Sequence, residues 1–282
     1  MISRKKTLLI ALSLLAFSAV PVALGQAEPP AASQVEARAR LAFDVAKRFF
    51  RNENFPSAIE RLEAFALQYP DSALKPEAVL LENQARFQLG QFEGVVNELQ
   101  AGLSAAGTWS DRYLFWIGEA QFALGQFDKA AEAYGLLIEN YPESVRGLEA
   151  ALGQAQAYYQ LDELKQLIAT LEPADGPFQK SANATPTAEL VIDGRLLLAN
   201  AYFELKELGA ARLLLENLSD QGLSPERFWQ KYHLLASVYL AEKSLDRALS
   251  GATNLVQLAK GIKDPVFSAR SSDFHGDVLR QM

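Results

Sequence analysis

The stretch from Asp111 to Ser144 constrains this chain more than any other, because the rest of the chain repeats it. It reads as two helices around a turn. Apolar residues recur at three- and four-residue steps on both sides of Gly125, as two amphipathic helices require. Gly125 can take the positive φ that ends the first helix without a Cβ clash. Pro142 cannot continue the second helix, so the unit stops there after 34 residues.

Units start near residues 39, 76, 111, 148, 192, 229 and 269, mostly 35 to 40 residues apart, with one step of 44. With each start as position 1, position 17 is Phe55, Phe92, Phe127, Leu164, Leu208 and Leu245. Position 20 is Ala58, Val95, Ala130, Leu167, Ala211 and Ala248. Small side chains at position 20 let the two helices approach, and large ones at 17 and 24 fill the space between units. Tyr69-Pro70-Asp71-Ser72 and Tyr141-Pro142-Glu143-Ser144 are two copies of one helix stop. The long step contains Glu172 to Pro186, with Pro173 and Asp175-Gly176-Pro177, which reads as a loop insertion near 172–186. Pro265 to Met282 begins like a further unit, but no second helix follows it.

A 34-residue helix–turn–helix unit has the period of the tetratricopeptide (TPR) repeat, and the third unit resembles one closely. Gly118, Ala120 and Ala130 match the family's small positions, Phe122, Phe127 and Tyr134 its aromatic ones, and Pro142 its terminal proline. It departs at Leu114, where the family often has Trp, and at Gln121, where it often has Tyr. The resemblance implies an all-α, right-handed superhelical solenoid over residues 39–282, with about six helix–turn–helix repeats plus a C-terminal helix.

It also implies a place for partners, since positions 2, 5, 9 and 12 of the first helices face the concave groove in this family. Position 12 holds Phe50, Phe87, Phe122, Tyr159, Phe203 and Leu240. Position 5 holds Phe43, Leu80, Phe115, Leu152, Leu196 and His233. Between these apolar rows, position 9 holds Lys47, Gln84, Glu119, Gln156, Asn200 and Ser237. One reading is a groove where aromatics anchor an extended segment or helix of a protein partner and the polar row bonds it. The other is that the aromatic stripe packs between neighbouring helices and is core. The Lys–Asn pair with which some TPR domains clamp a C-terminal carboxylate is not present: Asn200 is preceded at position 5 by Leu196.

Composition narrows the remaining classes. The 282 residues carry a net charge of −7 with no clustered basic patch, which argues against nucleic acid. There is no cysteine, so disulfides, thiolate chemistry and a lipidated Cys are excluded. His233 and His275 stand apart, and no zinc-protease spacing, phosphate loop or nucleophile elbow occurs, so neither enzyme activity nor a metal or cofactor is expected. Asn183-Ala184-Thr185 and Asn217-Leu218-Ser219 fit the glycosylation sequon and are assigned no role.

The N-terminus reads as a secretory signal peptide over residues 1–27, with an uncleaved membrane anchor as the alternative. Arg4, Lys5 and Lys6 precede an apolar run from Thr7 to Val20, and Ala23 and Gly25 form a small-residue cleavage pattern. Cleavage before Gln26 or after Ala27 takes the net charge from −7 to −10, because three cations leave with the segment. Residues 28–38 are a linker and the start of the first helix. The expectation is therefore a periplasmic or secreted, non-catalytic scaffold that binds a protein or peptide. The Tyr-Pro-Asp/Glu-Ser endings resemble exported TPR proteins of bacterial envelopes, of the Tol–Pal-associated and outer-membrane-assembly types. This implies, as an alternative, a structural subunit of such a membrane-associated assembly.

Overall fold

The computed structural model describes residues 31–262 and 264–282; the leader expected at 1–27 lies outside them. The described residues form an all-α solenoid of fourteen helices, with no strand among them. Helices α1 (Ala31–Arg51) and α2 (Phe55–Gln68) make the first unit, and α3 (Lys75–Gln88) and α4 (Phe92–Gly102) the second. The third is α5 (Ser110–Ala123) with α6 (Phe127–Asn140), and the fourth α7 (Gly147–Gln160) with the short α8 (Leu164–Leu171). Helix α9 (Pro177–Ala184) is additional. Then come α10 (Glu189–Glu204) with α11 (Leu208–Asn217), α12 (Pro225–Ala241) with α13 (Leu245–Ile262), and the unpaired α14 (Pro265–Arg280).

One turn is built six times. Position 15 has positive φ in every unit, at Glu53, Gly90, Gly125, Asp162, Lys206 and Lys243. In the third unit the Gly125 amide donates to the Phe122 carbonyl at 2.9 Å, and the Gln126 amide to the Gln121 carbonyl at 2.9 Å. This pair of bonds satisfies the last carbonyls of the first helix. The same pair recurs at Lys206 and Glu207, at 3.0 and 2.8 Å, although Lys206 has a Cβ. Every second helix from the first unit to the sixth begins at position 17, two residues on. Position 20 is fully buried in all six units, at 0% exposure, as its small or aliphatic side chains require.

The two Tyr-Pro-x-Ser stops share a hydrogen-bonding scheme. The Ser144 hydroxyl donates to Asp111 at 2.6 Å and accepts from the Arg146 amide at 3.1 Å. The Ser72 hydroxyl donates to Glu36 at 3.1 Å and accepts from the Leu74 amide at 3.2 Å. In each case the serine ties the end of a unit back to its own first helix and starts the turn into the next.

The insertion is not the plain loop that its Pro and Gly residues suggest. It carries α9, with Pro177 in the first turn, where a missing amide proton costs nothing. The apolar spacing of Phe178 and Ala182 buries one side of that single short helix. Phe178 lies against Leu152 of α7 and α10 at Gly194, where a Cβ would meet the ring at 2.2 Å. Glycine is thus required at 194 by the wedge that the insertion drives between two first helices.

Tyr134 fills a comparable gap. Cβ atoms at Gly118 and Gly153 would come within 2.7 and 2.6 Å of its ring. Its hydroxyl donates to Glu119 at 2.5 Å. Further toward the N-terminus, Arg86 gathers three carboxylates from three helices: Glu63 at 2.5 Å, Glu82 at 2.7 Å and Glu98 at 3.6 Å. Glu82 is buried, and its pKa is pushed up to about 7 by that burial and the charge of Glu98, against the pull of Arg86.

Candidate first-helix cleft

The structure separates the two apolar rows expected along the groove. Position 5 belongs to the interior: Phe43, Leu80, Phe115, Leu152 and Leu196 are all buried, Phe115 at 7% exposure. The reason is packing against second helices. The Phe43 ring lies 5.5 Å from Phe65 of α2, and the Phe115 ring 6.1 Å from Tyr134 of α6. From the first unit to the fourth this row packs inside the array and is no open apolar strip; Leu196 and His233, in the last two units, do reach a recess.

Position 12 is half-buried and divides into two groups. Phe50, Phe87 and Phe122 make edge contacts with Phe55, Phe92 and Phe127 at 5.7, 5.0 and 5.0 Å, stapling each turn shut. Tyr159 instead reaches the next unit. Its hydroxyl donates to Glu204 at 2.8 Å and accepts from the Asn200 amide at 3.1 Å. Phe203 lines a cleft.

Position 9 is equally divided. Lys47 pairs with Glu77 at 2.9 Å, and Gln84 is half-buried. Glu119 accepts the Tyr134 hydroxyl, and its pKa is raised by burial, which that bond partly offsets. Only Gln156, Asn200 and Ser237 border an open space.

That space is a cleft of about 470 Å³ between α10 and α12. It unites six residues at positions expected from sequence: Gln156, Leu196, Asn200, Phe203, His233 and Ser237. Leu197, Leu234 and Phe203 add apolar surface, while Asp193, Gln230 and Ser237 add polar groups. One wall is a ring pair: Trp229 and His233 stack at 4.4 Å and 14°. Burial, and then the charge of Arg270, lower the His233 pKa, which favours the neutral imidazole. Asp193 is held by a two-pronged bond from Arg227, at 2.6 and 2.8 Å. The pair ties α10 to the first turn of α12 and sets the spacing of the two helices.

Sequence reasoning missed Trp229, Leu234 and the Asp193–Arg227 clamp. The clamp carried a signal, because its partners lie 34 residues apart, one repeat period. Ser144 and Asp111, at 33, repeat that relation. The cleft can take an apolar side chain and offer amides and a hydroxyl around it. Among the described residues no group of three or more His, Asp or Glu side chains could hold a metal ion.

The fold and this cleft define a helical-repeat solenoid with a recess on its first-helix face. Residues 112–144, within the third unit, match the sequence model described as "Tetratricopeptide repeat". No curated protein matches the chain. Among solved structures, BtubC (BKLC) from P. vanneervenii is similar at a TM-score of 0.56 and 16% identity, over 84% of this chain and 95% of that one. PilF of Pseudomonas aeruginosa is similar at a TM-score of 0.57 and 14% identity, over 85% and 99%. Naa15/Naa10 bound to HypK-THB is similar at a TM-score of 0.51 and 14% identity, over 86% of this chain and 34% of that one. At these identities the likenesses concern the fold.

Proposed function

We propose that this chain is a non-catalytic protein-binding scaffold of the bacterial cell envelope, which seats an extended segment of a partner on its first-helix face. The cleft between α10 and α12 supports this most directly. It joins apolar surface from Leu197, Phe203 and Leu234 to the amides of Gln156, Asn200 and Gln230, the combination that holds one side chain and its neighbouring backbone. The tripartite N-terminus supports export.

A peptide array screened with the exported protein tests the site. Sequences with an aliphatic or aromatic residue among uncharged neighbours should be retained, and Ser237→Arg, which fills the cleft, should lose them. Retention that is indifferent to Ser237→Arg sinks the cleft as the site. Cell fractionation with N-terminal sequencing tests export: a cytosolic form that still begins at Met1 refutes it.

A further inference from the structure

Helix α14 packs on α13, and two of its side chains reach the cleft wall from behind. The Arg270 guanidinium lies 3.9 Å from the centre of the Trp229 ring. The Phe274 ring lies 4.3 Å from His233, tilted by 51°. Neither Arg270 nor Phe274 lines the cleft. Trp229 is thus held between His233 and Arg270, and His233 between Trp229 and Phe274. Arg270 is itself held at 3.5 Å by Glu226, one turn before Trp229 on α12. The Trp229 indole nitrogen is buried without a hydrogen-bond partner, so no polar bond fixes the ring. Among its polar and ring interactions, the His233 and Arg270 contacts are therefore what orient the ring.

We infer that Arg270 and Phe274 are positioning residues for the cleft: α14 holds the Trp229–His233 wall in place and thereby controls what the recess between α10 and α12 can accept. This rests on the reading of the cleft as the binding site. It gives the C-terminal helix a second role, since any event that lifts α14 from α12 frees both rings and removes one wall. A flat cation suits the position, because a guanidinium stacks on an indole face while still bonding Glu226 at its edge.

The test uses the full chain carrying Trp109→Phe and Trp116→Phe, so that Trp229 is the only tryptophan and can be excited selectively, and 8-anilinonaphthalene-1-sulfonate as the probe of the cleft. Arg270→Ala and Phe274→Ala should each shift Trp229 emission to the red and weaken dye binding about tenfold, with far-ultraviolet circular dichroism unchanged. Glu226→Gln, which leaves both ring contacts in place, should stay within about twofold of the parent. Emission and dye affinity that ignore both alanine variants overturn the inference and leave α14 as a cap. An equal response to Glu226→Gln also overturns it, since the effect would then follow the ion pair and not the stack. Dye binding that survives Ser237→Arg tells against the cleft as a binding site, while Trp229 emission still decides the positioning role by itself.

Discussion

The first three units and the last three share a turn but differ in the residue that its position-12 side chain meets at the start of the second helix. In the first three, Phe50, Phe87 and Phe122 face the phenylalanine that opens the second helix, and Phe87 also meets Trp116 of the following unit at 5.1 Å. In the last three that partner is Leu164, Leu208 or Leu245. Tyr159 then bonds Asn200 and Glu204 of the following unit, and Phe203 borders the cleft. The backbone bonds are the same in both halves, at Gly125 as at Lys206. A repeat's hydrogen bonds therefore dictate its shape, and the side chain opposite position 12 decides whether that ring serves the unit or the site. The other difference is the exit. Units one and three leave through a serine-anchored stop, whereas unit four leaves through α9 and the Phe178 wedge, just before the helices that form the cleft.

The largest effect should come from breaking that wedge. Phe178→Ala removes a fully buried ring and is expected to cost about 3–5 kcal/mol. For a chain of this size, that lowers the thermal midpoint by roughly 10 °C. Phe122→Ala, at a half-buried staple in the other half, should cost clearly less. Equal midpoints for the two variants would mean that α9 is a surface ornament. Next is the stop. Ser144→Ala leaves Asp111 buried without its 2.6 Å partner and should cost about 1–3 kcal/mol by urea denaturation. Ser72→Ala, whose partner Glu36 is only half-buried, should cost about 1 kcal/mol or less.

The cluster on Arg86 predicts a pH dependence confined to the first two units. Glu82 titrates near 7 in the folded chain against an ordinary value of 4.5. The folded state thus holds the extra proton between these values, and its contribution is greatest below 4.5 and declines as pH rises toward 7. Glu82→Gln should flatten the stability profile across that window, and a profile with an unchanged slope would reject the assignment. The smallest effect concerns the turn itself. Lys206→Gly relieves a side chain held at φ 64° and should add about 0.5–1 kcal/mol, while Gly125→Ala should remove about 1–2 kcal/mol. If Lys206→Gly destabilises, the contact of its ammonium with Phe203, 5.3 Å away, outweighs backbone strain.

Apart from α9, which its Pro and Gly residues concealed, the sequence by itself determined the helices, their pairing and the period. Those follow from residues close along the chain: apolar spacing, a small residue at position 20, and a stop at Pro142. It also placed Gln156, Leu196, Asn200 and Phe203 on the groove-facing positions 5, 9 and 12, and the structure brings these into one cleft. Only tertiary structure decided which member of a register meets solvent. Position 5 carries the same apolar character as position 12, yet Phe115 is buried against Tyr134 while Phe203 borders the cleft. That choice depends on what the next helix presents and how far away it stands, as with Gly194 admitting Phe178 and Arg227 gripping Asp193. Local pattern records a residue's own face on its helix. The distance between helices is set by pairs one repeat apart, which no single window of sequence contains.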